Sequence, residues 1–271
     1  MAQTTGLKLP HASSAKRSDR MLAVLKAVNA RGAVALGDLV TELQVSAATL
    51  RRDLADMEDQ GLLIRTHGGA RPHALHDEMP VHLKNLEARE AKQRIAIRAA
   101  ELIPSGPYAV ALSGGTTTAE IAKALARRTQ LTIITNSVTI ALELAARPNA
   151  KVILTGGVVR STSFEAVGVL AENTFKAVNV GTAILGVDGI SAAGGATTHD
   201  EVEARTNHAM VEHAQRVMVV TDGSKVGRVT LARMAEPSQI DLLITDTTAD
   251  PEELDRLRAV GVTVHVVEPR R

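Results

Sequence analysis

The sequence predicts an α/β protein of two domains: a small N-terminal domain of three helices and a hairpin, and a larger domain on a Rossmann-like, mostly parallel sheet. Three observations predict this fold class. Between residues 20 and 54, apolar side chains recur at helical spacing in three successive segments. A β-rich stretch with two adjacent glycines follows at 62–71. Beyond residue 104, continuous apolar runs alternate with helical segments, which is typical of parallel strands joined by helices.

The first sixteen residues predict a disordered basic tail. They include Lys8 and Lys16 but no apolar segment, so a signal peptide is not expected. No apolar run approaches the roughly 18 residues that a membrane span needs. The chain has no cysteine, which fits a reducing compartment. We therefore expect a cytoplasmic protein that does not associate with membranes.

Residues 17–72 predict a winged helix-turn-helix domain, with the helix-turn-helix motif itself at about 34–53. Two amphipathic helices are indicated by apolar residues at i, i+3, i+4 and i+7, namely Met21, Val24, Leu25 and Val28, then Leu36, Leu39, Val40 and Leu43. Ser46 is a favourable N-cap for a third helix over Ala47–Gln60. The segment Leu62–Arg71 predicts the wing, as a strand, a Gly-Gly turn and a returning strand.

The third helix has a basic outer face. In a helix-turn-helix the last helix enters the major groove, and contacts to phosphates fix its register. We therefore predict that Thr49 and Arg52 read base edges, while Arg51 and Arg65 anchor phosphates. The predicted DNA-contacting residues are Ser46, Ala48, Thr49, Arg51, Arg52, Arg65, His67 and Arg71.

The larger domain is predicted over residues 93–250, after a linker at 73–92, and residues 251–271 add a C-terminal helix and strand that complete it. A charged helix over Lys84–Ile103 is expected to join linker and domain. The predicted strands are Tyr108–Leu112, Leu131–Thr135, Lys151–Thr155, Thr182–Val187, Val217–Thr221, Leu242–Thr245 and Val262–Val267. The predicted helices between them are Thr118–Arg127, Val138–Ala146, Leu170–Phe175, Asp200–His213 and Glu252–Ala259.

Polar, glycine-rich segments follow five successive strands of this sheet. Ligands bind outside the carboxyl ends of parallel strands, so these segments predict a binding site. The first of them, Ser113–Thr117, opens a helix and suits a phosphate, although it is neither a P-loop nor a G-x-G-x-x-G motif. The predicted ligand-binding residues are Ser113, Gly114, Gly115, Thr116, Thr117, Asn136, Ser137, Gly156, Gly157, Asp188 and Lys225.

Within this predicted site, the residue types suggest separate roles. Lys225 is expected to neutralise a phosphate, and Asp188 and Asn136 to bind sugar hydroxyls. Asn136 and Ser137 fit simple N-caps of the following helix equally well. His199 has no second His or Cys at ligand spacing, so neither a metal nor a cofactor is predicted.

These motifs resemble those of DeoR-type (DeoR/GlpR) bacterial transcriptional regulators. In the first domain the resemblance rests on the wing at 65–70 and on Arg20, Val24, Val28, Ser46, Thr49, Leu50, Arg51, Arg52, Asp53 and Leu54. Residues 93–250 resemble the family's sugar-phosphate sensor domain at 115–117, 135–137, 156–157, 186–190 and 222–225. That domain is related in fold to ribose-5-phosphate isomerase and CoA transferases, so the resemblance implies the same architecture here.

The resemblance implies a sequence-specific regulator of transcription, with no catalytic residues. It further implies a repressor of a carbohydrate-catabolism operon, relieved or modulated by a phosphorylated sugar or sugar alcohol in the second domain. Residues 1–73 hold ten Lys and Arg against seven Asp and Glu, a net charge of +3, so one copy is expected to bind operator DNA weakly. We therefore expect a homo-oligomer, either a dimer or a tetramer.

Two positions depart from the family's pattern. Ser113 stands where family members often carry an acidic residue, and Asp188-Gly189 stands where isomerase relatives carry paired acids. A second carboxylate is therefore expected to be absent. The alternative function is an enzyme, a phosphosugar isomerase or CoA-transferase-like protein with an appended DNA-binding arm, with candidate bases Asp188, Asp200, Glu201 and Glu203. An activator of transcription fits the sequence as well as a repressor does.

Overall fold

The computed structural model describes residues 15–73, 81–84, 88–148 and 150–269. Its contacts divide the chain into two compact units, Met1–Glu87 and Ala88–Arg271. The predicted tail at 1–16 lies outside the described residues except for its last two, which already belong to the first helix. No described helix is long and apolar enough to cross a membrane.

The first unit has three helices and the short fourth helix α4, with a small antiparallel sheet in the order β1-β3-β2. Its apolar core includes Val24, Val28, Leu39, Leu50 and Met57, each fully buried. The amphipathic spacing predicted from the sequence accounts for these positions. In chain order its elements are α1 (Ala15–Arg31), β1 (Val34–Ala35), α2 (Leu36–Leu43), α3 (Ala47–Asp59), β2 (Leu63–Thr66), β3 (Gly69–Pro72) and α4 (Val81–Lys84).

The wing differs from the predicted Gly-Gly turn. The turn consists of His67 and Gly68, while Gly69 is already a strand residue opposite Thr66. Strand β1, which the sequence pattern did not indicate, pairs with β3 and places Ala35 opposite Gly69. A Cβ atom on Gly69 would overlap the carbonyl oxygen of Val34, whereas one on Gly68 would meet nothing within 4 Å. Gly69 is therefore required for the close approach of β1, and Gly68 is not.

The buried carboxylate of Asp53 joins α3 to α1. Its oxygens lie 3.1 Å from Nε of Arg17 and 2.5 Å from Nε of Arg20. These arginines are three residues apart and so face the same side of α1. Arg17 also forms an ion pair with Asp56, one turn beyond Asp53. The acidic residue that follows Arg51 and Arg52 thus orients the recognition helix on the domain.

The second unit is built on a seven-stranded sheet in the order β15-β14-β12-β9-β4-β5-β6, and all its paired strands are parallel. Its elements are α5 (Arg89–Glu101), β4 (Tyr108–Leu112), α6 (Thr116–Leu125), β5 (Leu131–Thr135), α7 (Val138–Ala145), β6 (Lys151–Leu154), β7 (Val158–Val159), β8 (Ala166–Val167), α8 (Val169–Lys176), β9 (Thr182–Gly186), β10 (Gly189–Ser191), β11 (Gly195–Thr198), α9 (Glu201–Glu212), β12 (Val217–Val220), β13 (Ala232–Ala235), β14 (Leu242–Asp246), α10 (Pro251–Ala259) and β15 (Thr263–Val267).

The central strands are apolar along their length because both faces of the sheet are covered. Residues 183–185 of β9 are fully buried, with Ala183 and Leu185 in one core cluster and Ile184 in the other. The strand order reverses between β4 and β9, since β5 and β6 extend the sheet on one side and β12, β14 and β15 on the other. Such a reversal opens a crevice at the carboxyl ends of the strands.

Several local features were not predicted. Two small antiparallel sheets, β7-β8 and β10-β11-β13, follow the carboxyl ends of β6 and β9. The predicted helix over Lys84–Ile103 is not continuous, because α4 ends at Lys84, α5 begins at Arg89 and residues 85–87 lie outside the described part of the chain. The predicted linker at 73–92 thus contains α4 and the first turn of α5.

Candidate DNA-contacting surface and effector site

Ser46 caps the recognition helix α3. The amide of Thr49 donates to Oγ of Ser46 at 3.2 Å, and the hydroxyls of Ser46 and Thr49 lie 2.9 Å apart. The predicted N-cap is thus present. Both hydroxyls have hydrogen-bond partners within the first turn of α3. Ser46 therefore fixes the start of this helix.

The exposed face of α3 is opposite its core face. Ala48, Arg51 and Arg52 are exposed, whereas Leu50 and Leu54 are buried. Among the described residues, neither guanidinium forms an ion pair. The two positive charges are therefore available to a polyanion.

The wing carries one paired and one unpaired arginine. Nε of Arg65 lies 2.6 Å from Oε2 of Glu58, and its backbone amide donates to Oε1 of the same carboxylate at 2.9 Å. These contacts lower the pKa of Glu58. Arg71 is exposed without an ion pair to any other described residue, and His67 is exposed in the turn. A phosphate at Arg65 would compete with Glu58, whereas one at Arg71 would not.

We call Ser113–Thr117, the turn after β4 together with the first two residues of α6, the effector loop. Gly115 has a φ of +116° and precedes the first residue of α6, whose N-terminus has no side-chain cap. The first amides of a helix lack intrahelical partners and attract anions. Oγ of Ser113 accepts from the amide of Gly186 at 3.0 Å and donates to the carbonyl of Gly114 at 3.1 Å. Ser113 therefore fastens the loop to the end of β9.

Asn136 and Ser137 follow β5, and each was predicted either to contact a ligand or to cap the following helix. Their contacts differ. Oγ of Ser137 accepts from the amide of Ile140 at 3.4 Å, which makes it the N-cap of α7. Asn136 is fully buried, and its Nδ2 donates to Oδ1 of Asn207 on α9 at 3.2 Å. Its Oδ1 has no hydrogen-bond partner within the described ranges.

Gly156 and Gly157 lie beyond β6, and both are exposed. Gly157 has a φ of +134°, and a Cβ there would lie 2.6 Å from the carbonyl oxygen of Val167. Its small size therefore serves the pairing of β7 with β8. Because β6 is an edge strand two positions from β4, these glycines lie at the periphery of the polar edge.

Asp188 shares a hydroxyl partner with Glu203, which the sequence offered only as a candidate base of the alternative enzyme. The hydroxyl of Thr198 lies 3.2 Å from Oδ2 of Asp188 and 2.7 Å from Oε1 of Glu203 on α9. Gly189 stands beside Asp188, so the segment that follows β9 supplies no second carboxylate at that position. The acid near Asp188 is Glu203, which comes from a helix fifteen residues downstream.

Glu165, Glu203 and Arg160 form a cluster at the same edge, and neither Glu165 nor Arg160 was predicted from the sequence as a site residue. Glu165 is 3% exposed, and its Oε1 accepts from the amide of Gly114 in the effector loop at 2.6 Å. Burial raises the pKa of Glu165. Arg160 forms ion pairs with Glu203 and, at 3.3 Å, with Asp200. No local motif marks Glu165, because its partners are distant in sequence.

Lys225 is half-buried in a short 3-10 turn after β12, adjacent in the sheet to β9. The amide of Ser224 donates to Oδ1 of Asp222 at 3.1 Å, and that of Gly223 donates to Asp246 at 2.7 Å. The Lys225 ammonium forms no ion pair within the described residues. A fixed turn thus presents an unneutralised cation at the polar edge.

All five predicted segments lie at one edge because their strands are parallel. The segments after β4 and β9 are in direct contact through Ser113 and Gly186. Over the described ranges, no group of three His, Cys, Asp or Glu residues could hold a metal ion. The arrangement can bind an anion at the effector loop and hydroxyl groups at the buried acids and amides.

A winged helix-turn-helix joined to a parallel α/β unit with this edge defines a DNA-binding regulator with a sensor domain. Comparison with protein families agrees. A profile described as the DeoR C terminal sensor domain matches residues 87–247, and one described as the DeoR-like helix-turn-helix domain matches residues 20–73. The chain belongs to the DeoR family of transcriptional regulators, as its motifs predicted.

Individual relatives are regulators. The chain is 37% identical over 251 residues to the HTH-type transcriptional regulator GlpR of Haloferax volcanii, covering 92% of this chain and 96% of that protein. It is 33% identical over 231 residues to the glycerol-3-phosphate regulon repressor of Escherichia coli K12, covering 85% and 91%. These relatives confirm a regulator of transcription over an enzyme. A ribose 5-phosphate isomerase of Plasmodium falciparum covers 50% of this chain and 52% of its own at 12% identity, with a TM-score of 0.37.

Proposed function

We propose that the protein represses a carbohydrate-catabolism operon and that a phosphorylated sugar or sugar alcohol modulates its hold on operator DNA. The observation that carries this proposal is the uncapped N-terminus of α6, which follows Gly115 at the point where strand order reverses. A helix N-terminus attracts phosphate, and the reversal point is where ligands enter such sheets. The name of the Escherichia coli relative supports a link to phosphorylated glycerol.

In this proposal the phosphate binds the amides of Gly115, Thr116 and Thr117, and Lys225 balances its charge. Asp188 accepts hydrogen bonds from sugar hydroxyls. Ser113, Ser137, Gly156 and Gly157 shape the loops around the ligand, as their internal contacts support. Asn136 holds α9 beside the site through Asn207.

At the DNA, Thr49 and Arg52 read base edges, while Ala48 allows close approach to the groove. Arg51, Arg71 and the wing residues Arg65 and His67 contact phosphates, and Ser46 caps the helix. The net charge of +3 on residues 1–73 supports weak binding by a single copy, so we propose that two or four copies bind repeated half-sites. DNA binding also supports a cytoplasmic location.

The test is a two-part titration of the full chain. Operator duplexes are first selected from a random pool, and their binding is followed by fluorescence anisotropy. Glycerol 3-phosphate, ribose 5-phosphate and fructose 1-phosphate are then added, with glycerol, ribose and fructose as matched neutral controls. A phosphorylated compound should release operator and raise the melting temperature, because a ligand that binds the native state stabilises it. Equal effects of the neutral controls, or no effect of any compound, would contradict the proposal.

A further inference from the structure

Glu165 and Glu203 form what we call the acid pair. Both residues are at least nine-tenths buried. Burial raises the pKa of Glu165, and a side-chain hydrogen bond with Glu203 opposes part of that rise. Two carboxylates cannot share a hydrogen bond unless one of them carries a proton. Burial favours the protonated form, since it disfavours charge. The pair therefore holds a proton at a pH where an exposed glutamate has lost it.

The acid pair is in direct contact with the effector loop. Oε1 of Glu165 accepts from the amide of Gly114 at 2.6 Å. A Cβ at Gly114 would overlap the Cγ and Cδ atoms of Glu165. The two residues are fitted to each other, since a larger residue at 114 would displace the carboxyl group from the loop. One amide of the loop is thus committed to Glu165, and the following amides remain for a ligand.

We propose that Glu165 is a positioning residue for the effector loop and that anion binding by the loop is coupled to retention of the proton on the acid pair. This inference rests on the proposed effector site and names a regulation of it. Glu165 acts through Gly114 and does not itself contact the ligand.

The charges around Glu165 support this coupling. From its own segment, Arg160 attracts the carboxylate form and Ser163 is hydrogen-bonded to it. From α9, Glu203 is hydrogen-bonded to Glu165 and forms an ion pair with Arg160, which also pairs with Asp200. Glu203 is linked in turn to Asp188 through Thr198. Arg160 thus faces several acids, so a dianion arriving at the loop would add to an existing excess of negative charge.

The sign of the pH dependence follows from this arrangement. The folded protein has a raised pKa at Glu165, so the proton is present at low pH and lost as pH rises through that raised value. An ionised Glu165 repels an anion in the loop, so binding should weaken as pH rises. Where one proton is linked to binding, affinity falls by about tenfold per pH unit.

Sulfate is the appropriate probe, because it stays a dianion between pH 5 and pH 8. Isothermal titration of the full chain should show sulfate affinity falling with pH by up to about tenfold per unit. Glu165→Gln keeps an acceptor for the Gly114 amide but does not titrate, so its sulfate affinity should vary little over this range. His199→Gln, which removes a nearby histidine, should retain the wild-type slope. A slope unchanged by Glu165→Gln would overturn the coupling.

Stability measurements test the positioning without any ligand. Gly114→Ala should lower the melting temperature of the wild type but have a much smaller effect in a Glu165→Ala background, where the clash is gone. Additive effects of the two substitutions would overturn the fitted contact. If wild type binds neither sulfate nor any sugar phosphate, the effector site itself fails. If it binds sulfate with the same pH slope as Glu165→Gln, only the coupling fails.

Discussion

The carboxylate of Asp53 lies 2.5 Å from Nε of Arg20, and this contact holds the recognition helix α3 against α1. Asp53 is 2% exposed, whereas the neighbouring Arg51 and Arg52 face solvent. Consecutive residues of one basic motif therefore divide between anchoring the helix and presenting charge to solvent.

Asp53→Asn should destabilise the DNA-binding unit, because it leaves two arginines without a buried acceptor charge. We expect a loss of roughly 2–3 kcal/mol, between the values for exposed and fully buried ion pairs. Urea unfolding of the full chain, followed by circular dichroism, measures it. Asp59→Asn, at an exposed position on the same helix, is the control. Equal stability of the two variants would show that the contact does not hold the domain together.

Gly69→Ala should destabilise the wing by more than about 2 kcal/mol, since overpacking a close backbone contact forces the strands apart. Gly68→Ala is a matched control one residue away, because a methyl group there meets no neighbour. Thermal unfolding of both variants gives the comparison, and DNA affinity should fall only for Gly69→Ala. If both variants behave alike, β1 does not pack on the wing as described.

Arg52→Ala should weaken binding to selected operator DNA by roughly 1–3 kcal/mol, the usual range for one base contact. Binding to random duplex should change much less, because phosphate contacts remain. Arg71→Ala should instead weaken binding to both duplexes by similar amounts and reduce the salt dependence of binding. Anisotropy titrations at two salt concentrations separate these effects. If Arg52→Ala loses the same affinity for both duplexes, Arg52 contacts a phosphate and not a base edge.

Lys225→Gln should weaken binding of the phosphorylated effector by roughly 1.5–3 kcal/mol, the value of a hydrogen bond to a charged group. Its affinity for operator in the absence of effector should stay the same. Arg228→Gln is the control, since Arg228 is an exposed cation three residues further along the same loop. Calorimetry with the effector identified in the panel measures both. An intact affinity in Lys225→Gln would remove this lysine from the phosphate site.

Much of the architecture follows from local periodicity, and the exceptions have physical causes. Regular apolar spacing located α1, α2 and α3, and continuous apolar runs located the central strands. Strand β1 was missed because two residues carry no period, although its presence dictates a glycine at 69. Gly-Gly at 68–69 resembles a turn from the sequence alone, while only the pairing of β1 shows which glycine is needed.

The candidate site was predictable where strands end and unpredictable where distant elements meet. Parallel strands bring residues 113, 136 and 188 to one edge, so alternation of strands and helices was sufficient to group them. Glu165 has no such marker, and Glu203 was considered only as a candidate base of an enzyme, since an isolated glutamate in a polar segment is typical of solvent exposure. Their burial depends on Gly114, Arg160 and Thr198, which lie between 5 and 51 residues away.

The pairing of β4 with β9 has a consequence for synthesis of the chain. Val110 pairs with Thr182, and the hydroxyl of Ser113 accepts a hydrogen bond from the amide of Gly186. The candidate site is therefore incomplete until the ribosome has passed residue 186. All strands of the helix-turn-helix unit are complete by residue 72. Domains generally fold in order from the N-terminus as they emerge. A nascent chain is therefore expected to complete the helix-turn-helix unit well before it completes the proposed effector site.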